Sequence, residues 1–198
     1  MKEQLQKDFD NTIKNLSLSQ KDIEIKKFSL DNFINKGFPN RKEEDWKFSD
    51  LNQIINKNIG ELSFYNDYTS TNKVDTSVFV DGLEHNKIVF INGRIEKIDF
   101  DYEKKGQIEI IDQSETINKF DNNNSLSDLN NAFTNKCFKI VIKTGYQLLK
   151  PLIIYHTTNS KIWSKNINLR LDFELQDDSC LRLIDLFNDT SEKNFLNI

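Results

Sequence analysis

The chain has 198 residues, of which 37% are hydrophobic and 29% charged, and its formal net charge is -4 at pH 7. This size and composition are typical of one sizeable globular domain or two small ones. The acidic balance argues against a nucleic-acid backbone or an anionic lipid surface as the main partner, because both require an excess of basic groups. The apolar runs are too short to span a bilayer and no apolar signal segment follows Met1, so we expect a cytoplasmic protein without a membrane partner.

Residues 1–58 have the pattern of a helical region. Apolar residues recur every three or four positions in two stripes, which predicts two amphipathic helices. The stripes are Leu5, Phe9, Ile13 and Leu16, then Ile23, Leu30, Phe33 and Ile34. Ser19, three residues before Asp22, predicts the N-cap of the second helix. Gly37 suits the left-handed position after a helix and Pro39 cannot continue one, so this helix is expected to end there.

Residues 59–135 are predicted to form a mixed connecting region. Before it, Ser49 and Asp50 have the character of a cap for a short third helix. Aromatic and turn-forming residues intermingle over 62–68, which indicates irregular structure. Asn92-Gly93 between apolar runs predicts a type I′ β-hairpin over 87–100. A strand is expected over 106–111, followed by a short helix over 125–134 that Ser125 would cap.

Residues 136–198 have a strand-like pattern throughout. Strands are predicted over 138–142, 148–155, 167–175 and 181–187, with a further strand beginning in the last six residues. Strands of similar length joined by short polar turns fit either a β-sandwich or a β-solenoid. A solenoid that ended here would expose an unpaired apolar edge, so we expect either that the chain continues in a fuller protein or that something else covers this edge.

The cysteines and histidines give no clear catalytic or metal-binding pattern. Cys137 and Cys180 are far apart and lack CxxC spacing, which favours two buried thiols over zinc ligands or a disulfide. His85 and His156 are the only histidines, and His156 is interpreted as a strand-end residue satisfied by a hydrogen bond. Glycine-rich phosphate loops are absent from the sequence. We therefore predict no catalytic, cofactor-binding or metal site.

The stretch 37–51 combines a helix stop, dense charge and two large aromatic rings. The charges could form a carboxylate pair for acid–base chemistry or could pair with a partner. A solvated turn with Trp46 and Phe48 anchored in the core is favoured, because runs of charge usually face water. This interpretation predicts that Trp46→Ala destabilises the N-terminal region by roughly a few kcal/mol, whereas Lys42→Ala costs almost nothing.

The same stretch resembles the signature of the SufB/SufD family of iron–sulfur cluster assembly proteins. In that family a Gly-Leu-Pro-x-Arg-x-x-Glu-x-Trp-Lys-Tyr-Thr-x-Leu pattern ends an N-terminal helical region. Blocks at 89–94, 129–133, 151–156 and 179–185 also resemble family segments, in the family's order. The lack of a cluster-type cysteine run favours the SufD branch. The signature residues matched here are Gly37, Pro39, Arg41, Glu44, Trp46, Lys47 and Leu51, with Phe48 and Ser49 in place of Tyr and Thr.

The resemblance implies a fold that is α+β to mainly β, in which a helical region precedes the first coils of a right-handed parallel β-helix. It implies a non-catalytic scaffold subunit of a SufBCD-type complex, with a SufB-like protein and a SufC-like ATPase as partners. The iron–sulfur cluster would be handled by the complex and not bound by this chain alone. Family members are roughly twice as long, so the chain would be the N-terminal half of a SufD-like protein, with a truncated β-helix.

Two other functions remain open on the sequence alone. A carbohydrate-active β-solenoid enzyme would need clustered carboxylates, for which the adjacent pair Asp177 and Asp178, in a predicted turn, is the candidate. A generic β-solenoid module for protein interactions would need no chemistry at all.

Overall fold

The computed structural model describes residues 2–14, 16–59, 63–65, 73–114, 124–158, 162, 164–189 and 193–198. Much of the stretch 62–68, predicted to be irregular, lies outside the described residues. None of the described helices is both long enough and apolar enough to cross a membrane. The helices are α1 (Lys2–Lys14), α2 (Gln20–Lys36), α3 (Leu51–Asn58) and α4 (Ser125–Phe133).

Ten strands are formed by the described residues, and two of them, β1 and β10, are very short. The first five are β1 (Ser63–Phe64), β2 (Asn86–Ile91), β3 (Arg94–Asp99), β4 (Ile108–Asp112) and β5 (Cys137–Ile142). The remaining five are β6 (Leu152–Thr158), β7 (Lys165–Asn168), β8 (Arg170–Leu175), β9 (Leu183–Asp189) and β10 (Phe195–Asn197).

The predicted helix ends are confirmed by their capping bonds. The Ser19 hydroxyl oxygen accepts a hydrogen bond from the Asp22 N–H at 3.2 Å, and Asp50 accepts from the Gln53 N–H at 2.9 Å. Gly37 has φ +74° and donates its N–H to the carbonyl of Phe33 at 2.7 Å. These bonds satisfy main-chain groups that a helix end leaves without an intrahelical partner.

The predicted cap of α4 is wrong by one residue. Asn124, not Ser125, is the N-cap, and its side-chain oxygen accepts from the Leu126 N–H at 2.9 Å. Ser125 is buried in the first turn instead. Asparagine and serine cap helices about equally well, so the choice depends on where the chain enters the turn.

The hairpin over β2 and β3 is confirmed. Asn92 and Gly93 both have positive φ, at 53° and 78°, as a type I′ turn requires. The two strands pair in antiparallel orientation, with a register shift between Val89 and Phe90 that marks a bulge. Such turns match the right-handed twist of the strands that they join.

The three sheets are open and contain three or four strands each. Their strand orders are β1-β7-β10, β3-β2-β6-β9 and β4-β5-β8. The first sheet is parallel, whereas the other two are mixed, because β3 and β4 pair in antiparallel orientation with β2 and β5. The prediction of a right-handed parallel β-helix is therefore wrong. Among the described strands no sheet closes or repeats as a solenoid, and the fold is α+β.

The single strand predicted over 167–175 is also wrong. Leu169 interrupts it, so that β7 and β8 belong to different sheets. The Leu169 side chain is buried, its N–H donates to the Asn197 carbonyl at 3.1 Å, and its carbonyl accepts from the Asn130 amide at 3.0 Å. Alternation of apolar and polar residues continues through the bend, which is why the sequence pattern did not reveal it.

The described residues form two main cores, and Leu169 at the bend belongs to the second of them. The helical core joins α1, α2 and α4, and the rings of Phe64 and Phe133 stack in it with centroids 3.5 Å apart. The second core lies between the two mixed sheets and contains Phe90, Ile140 and Ile154. A smaller cluster around Tyr155 covers the opposite face of the four-stranded sheet.

Candidate functional site

The signature stretch forms an exposed loop whose base is fixed at both ends. We call residues 37–51 the signature loop. The Phe38 ring is buried against Phe33, with centroids 5.0 Å apart and an edge-to-face geometry. The Pro39 carbonyl accepts from the Leu51 N–H at 3.3 Å, which closes the loop at the start of α3. Gly37, Pro39 and Leu51 are therefore residues of the loop base.

The charged residues of the signature loop face water and bond to near neighbours. The Asn40 N–H donates to Glu43 at 3.2 Å, and Lys47 pairs with Glu44 at 2.8 Å. Arg41 is exposed. The structure thus brings Glu44 and Lys47 together and places both on the surface.

The two aromatic rings of the loop differ in burial. Trp46 ends a 3-10 turn, Glu44–Trp46, and is partly buried. Phe48 is 87% exposed, so the prediction that it anchors the loop in the core is wrong. The Lys47 ammonium lies 5.3 Å from the centroid of the Phe48 ring, at cation–π distance. Aromatic side chains are enriched at protein interfaces, so the Phe48 ring is a group that a partner could contact.

The prediction of two buried thiols is right for Cys137 and wrong for Cys180. Cys137 is buried, and burial together with the nearby negative charge of Asp172 raises the pKa of its thiol. A raised pKa makes the thiolate scarce and the group a poor nucleophile. Cys180 is exposed, because it follows the turn after β8 that holds the exposed Asp177 and Asp178.

His156 has the predicted hydrogen bond but also an unpredicted stack. Its Nε2 lies 2.8 Å from a carboxylate oxygen of Asp185. Its ring stacks between Phe90 and Phe187, with centroid distances of 5.3 and 4.9 Å. The three rings meet because Phe90, His156 and Phe187 are in register on the adjacent parallel strands β2, β6 and β9.

His85 belongs to a buried relay that ties the segment before β2 to β6. Its Nδ1 lies 2.5 Å from the carbonyl of Leu83, which can only accept, so Nδ1 carries the proton. Nε2 then accepts from the Tyr155 hydroxyl at 2.7 Å, and that oxygen accepts from the Val80 N–H at 3.0 Å. Burial raises the pKa of Tyr155, so the hydroxyl keeps the proton that it donates to His85.

Glu103 joins the turn after β3 to the segment before β6. Its carboxylate accepts from the Tyr146 hydroxyl at 2.7 Å, the Asn86 amide at 2.6 Å, and the N–H groups of Leu149 and Lys150 at 3.1 Å each. Burial alone would raise the pKa of Glu103, but these four donors outweigh it and lower the pKa below its usual value. Sequence reasoning missed Glu103, since a single glutamate in a turn gives no signal.

Each sheet has two outer strands with a neighbour on one side only, as far as the described strands go: β1 and β10, β3 and β9, and β4 and β8. We call the later strand of each pair, β8, β9 and β10, together the open edge. Strand edges of this kind present free main-chain groups that can pair with another chain. Several large apolar side chains on or beside them are 40% or more exposed, namely Leu175, Leu183, Ile184, Phe187 and Ile198.

A cleft of about 280 Å³ lies between the start of α4 and the open edge. Asn197 at its wall donates to the Leu126 carbonyl at 3.0 Å and to the Asn168 side chain at 3.2 Å. Arg170 and Asp172, also in the wall, pair with each other at 3.0 Å. Three polar side chains of the wall, Arg170, Asp172 and Asn197, are thus already engaged in bonds within the protein.

Within the described ranges, no three histidine, cysteine or carboxylate side chains converge in a way that could hold a metal ion. The features that stand out are two surfaces, the signature loop and the open edge. No family model matches the chain, and no curated protein is found to be similar to it.

Proposed function

We propose that this chain is a non-catalytic scaffold subunit of a SufBCD-type iron–sulfur cluster assembly complex, the N-terminal portion of a SufD-like protein working in the cytoplasm. The observation that carries the proposal is the signature loop. Its residues resemble the family signature, and its charges and the Phe48 ring face outward on a base fixed by Phe38 and Pro39. A loop held in this way can present one surface to a partner with little ordering cost.

The open edge supports a role in assembly. Phe187 is 59% exposed and Leu175 is 48% exposed, on strands whose outer main-chain groups face away from their sheets. Exposed apolar side chains next to a free strand edge are suited to pairing with another protein. The expected partners are a SufB-like protein and a SufC-like ATPase, and the cluster is handled by the assembled complex.

The test is co-purification of the tagged full-length protein that contains this chain with the SufB-like and SufC-like proteins of the same organism. We expect both partners to be retained together with the chain. Elution of the chain alone, when the two partners are folded and present in excess, would overturn the proposal.

A matched pair of variants tests the signature loop itself. The double variant Lys47→Ala/Phe48→Ala removes the exposed ring and its cation, and we expect at least tenfold weaker retention of the partners. Leu149→Ala, which removes a side chain that is 59% exposed elsewhere on the surface, is the control and should bind like the wild type. Equal retention of both variants would show that the loop is not a docking surface.

A further inference from the structure

Lys26 is a lysine buried between two helices. It lies in α2, and its residue is 1% exposed. Its Nζ donates to the carbonyl of Asn131 at 3.0 Å, of Thr134 at 2.5 Å and, more weakly, of Ala132 at 3.5 Å. These carbonyls belong to the end of α4, where a helix leaves its last carbonyls without intrahelical donors. Lys26 therefore supplies the C-terminal cap of α4 from another helix.

We call the contact between α2 and α4 the junction. It joins two parts of the chain that are far apart in sequence. α2 leads into the signature loop at Gly37, and α4 leads through Thr134 to β5 at Cys137. At the other end of the same helix pair, Lys36 of α2 pairs with Asp128 of α4 at 3.0 Å. Lys26 thus holds the C-terminal end of α4, from which the chain continues into β5 of the three-stranded mixed sheet.

The charged groups that act on Lys26 are few. On α2, Asp22 lies one turn earlier, and its carboxylate also accepts from the Ser19 hydroxyl at 2.5 Å. On β5, the group is the buried thiol of Cys137. Among the described residues no carboxylate lies within ion-pair distance of the Lys26 ammonium. A buried cation without a close counter-charge is costly, although carbonyl dipoles at a helix C-terminus offset part of that cost.

Burial governs the balance between the two forms of the amine. It lowers the pKa of Lys26 from 10.5 to about 7, against the opposing effects of Asp22 and Cys137. The neutral amine has two N–H donors for three carbonyls, so loss of the proton removes the charge and the long bond to Ala132, while the bonds to Asn131 and Thr134 keep the cap in place.

We propose that Lys26 is a proton-sensitive clamp between α2 and α4, which holds the end of α4 as a neutral amine and loosens the helix pair when it is protonated. Between about pH 7 and pH 10.5, Lys26 keeps its proton in the unfolded chain but has released it in the folded chain. The free energy of unfolding therefore rises with pH in this interval and is independent of Lys26 titration below it. The clamp does not depend on the proposed function, since it concerns the fold alone.

The test compares the wild type with Lys26→Met, which has similar length and volume, in urea unfolding at several pH values from 6.0 to 9.5. We expect the unfolding equilibrium constant of the wild type, divided by that of the variant, to fall by up to about tenfold per pH unit above pH 7. The ratio should be flat below pH 7. Cys137 and Lys26 act on each other's pKa, so the comparison is made in a Cys137→Ala background, which removes the titration of the thiol from both proteins. A ratio that stays constant across the whole range would overturn the proposal.

A second measurement uses the wild type only and serves if Lys26→Met does not fold. Lysine labelled with ¹³C at Cε is incorporated, and the Cε resonances are followed by NMR as pH is raised. We expect one resonance to titrate near neutral pH in the folded protein and to join the others near pH 10 in 8 M urea. Titration of every resonance near pH 10 in the folded protein would overturn the proposal.

Discussion

The signature loop and the junction between α2 and α4 treat charge in opposite ways. In the loop, residues 41–45 are all charged and all exposed, and the bonds of Glu43 and Glu44 reach partners three residues away. At the junction, the amine of Lys26 is buried and bonds to carbonyls more than 100 residues away. The number of charges in a stretch therefore does not indicate which charges hold the fold together. What does indicate it is the burial of each charged group and the number of hydrogen bonds that the group makes.

Glu103→Ala tests whether a charged group with many hydrogen bonds stabilises the fold more than an exposed one. It has the largest expected effect. The substitution leaves four donors without their acceptor, so we expect the free energy of unfolding to fall by about 2–4 kcal/mol, measured by urea denaturation. The matched control is Glu109→Ala, which removes an exposed carboxylate that pairs only with Lys143 at the surface. The control should cost less than about 1 kcal/mol. Similar losses for the two variants would mean that the donors around Glu103 are readily satisfied by water.

Trp46→Ala tests the packing of the signature loop. Since Trp46 is partly buried, we expect a loss of about 1–2 kcal/mol, from removal of the apolar contacts that remain. Lys42→Ala, in the same loop, should change stability by less than about 0.5 kcal/mol, because its side chain is exposed. Equal shifts in Tm for the two variants would contradict a packing role for Trp46.

Phe48→Ala should have the smallest effect on stability. Its ring is 87% exposed and contributes little beyond a surface cation–π contact with Lys47, so the change should stay within about 0.5 kcal/mol in thermal unfolding. A loss as large as that of Trp46→Ala would mean that the ring packs against the fold in solution.

Local signals in the sequence predicted local structure well. The Ser19 and Asp50 caps, the stop at Gly37 and the Asn92-Gly93 turn each depend on bonds or φ values within a few residues. The apolar stripes likewise identified Leu5, Phe9, Leu30 and Phe33 as core residues. These features could be predicted because their physical causes lie within one or two turns of chain.

The arrangement of the strands could not be predicted in this way. A period of two identifies a strand but gives neither the direction nor the partner of that strand. Leu169 keeps the alternation while the chain turns into another sheet, and β4 adds an antiparallel neighbour to β5 that the strand pattern does not specify. The strand pattern left a β-sandwich and a β-solenoid open, and the parallel β-helix that the family resemblance implied is not formed by the described strands.

The polar groups of the interior were missed for a related reason. Lys26 is one lysine on a helix rich in charge, and its acceptors are more than 100 residues further along the chain. Phe48 was assigned to the core because large aromatic rings are usually buried, whereas the signature loop turns this ring outward. Both errors concern which side of an element faces the protein, and that depends on tertiary contacts.

The sequence separation of Lys26 from its acceptors also means a delay during synthesis between the appearance of the lysine and that of the carbonyls that it binds. The first acceptor follows Lys26 by 105 residues, so at about 5–20 residues per second the ribosome adds it about 5–20 s later. Throughout that interval the apolar side chains of Leu30 and Phe33, fully buried in the finished fold, have no α4 to cover them. Lys26 is hydrated and charged in the nascent chain, with its ordinary pKa of 10.5, so we expect it to protect the waiting helix from premature association.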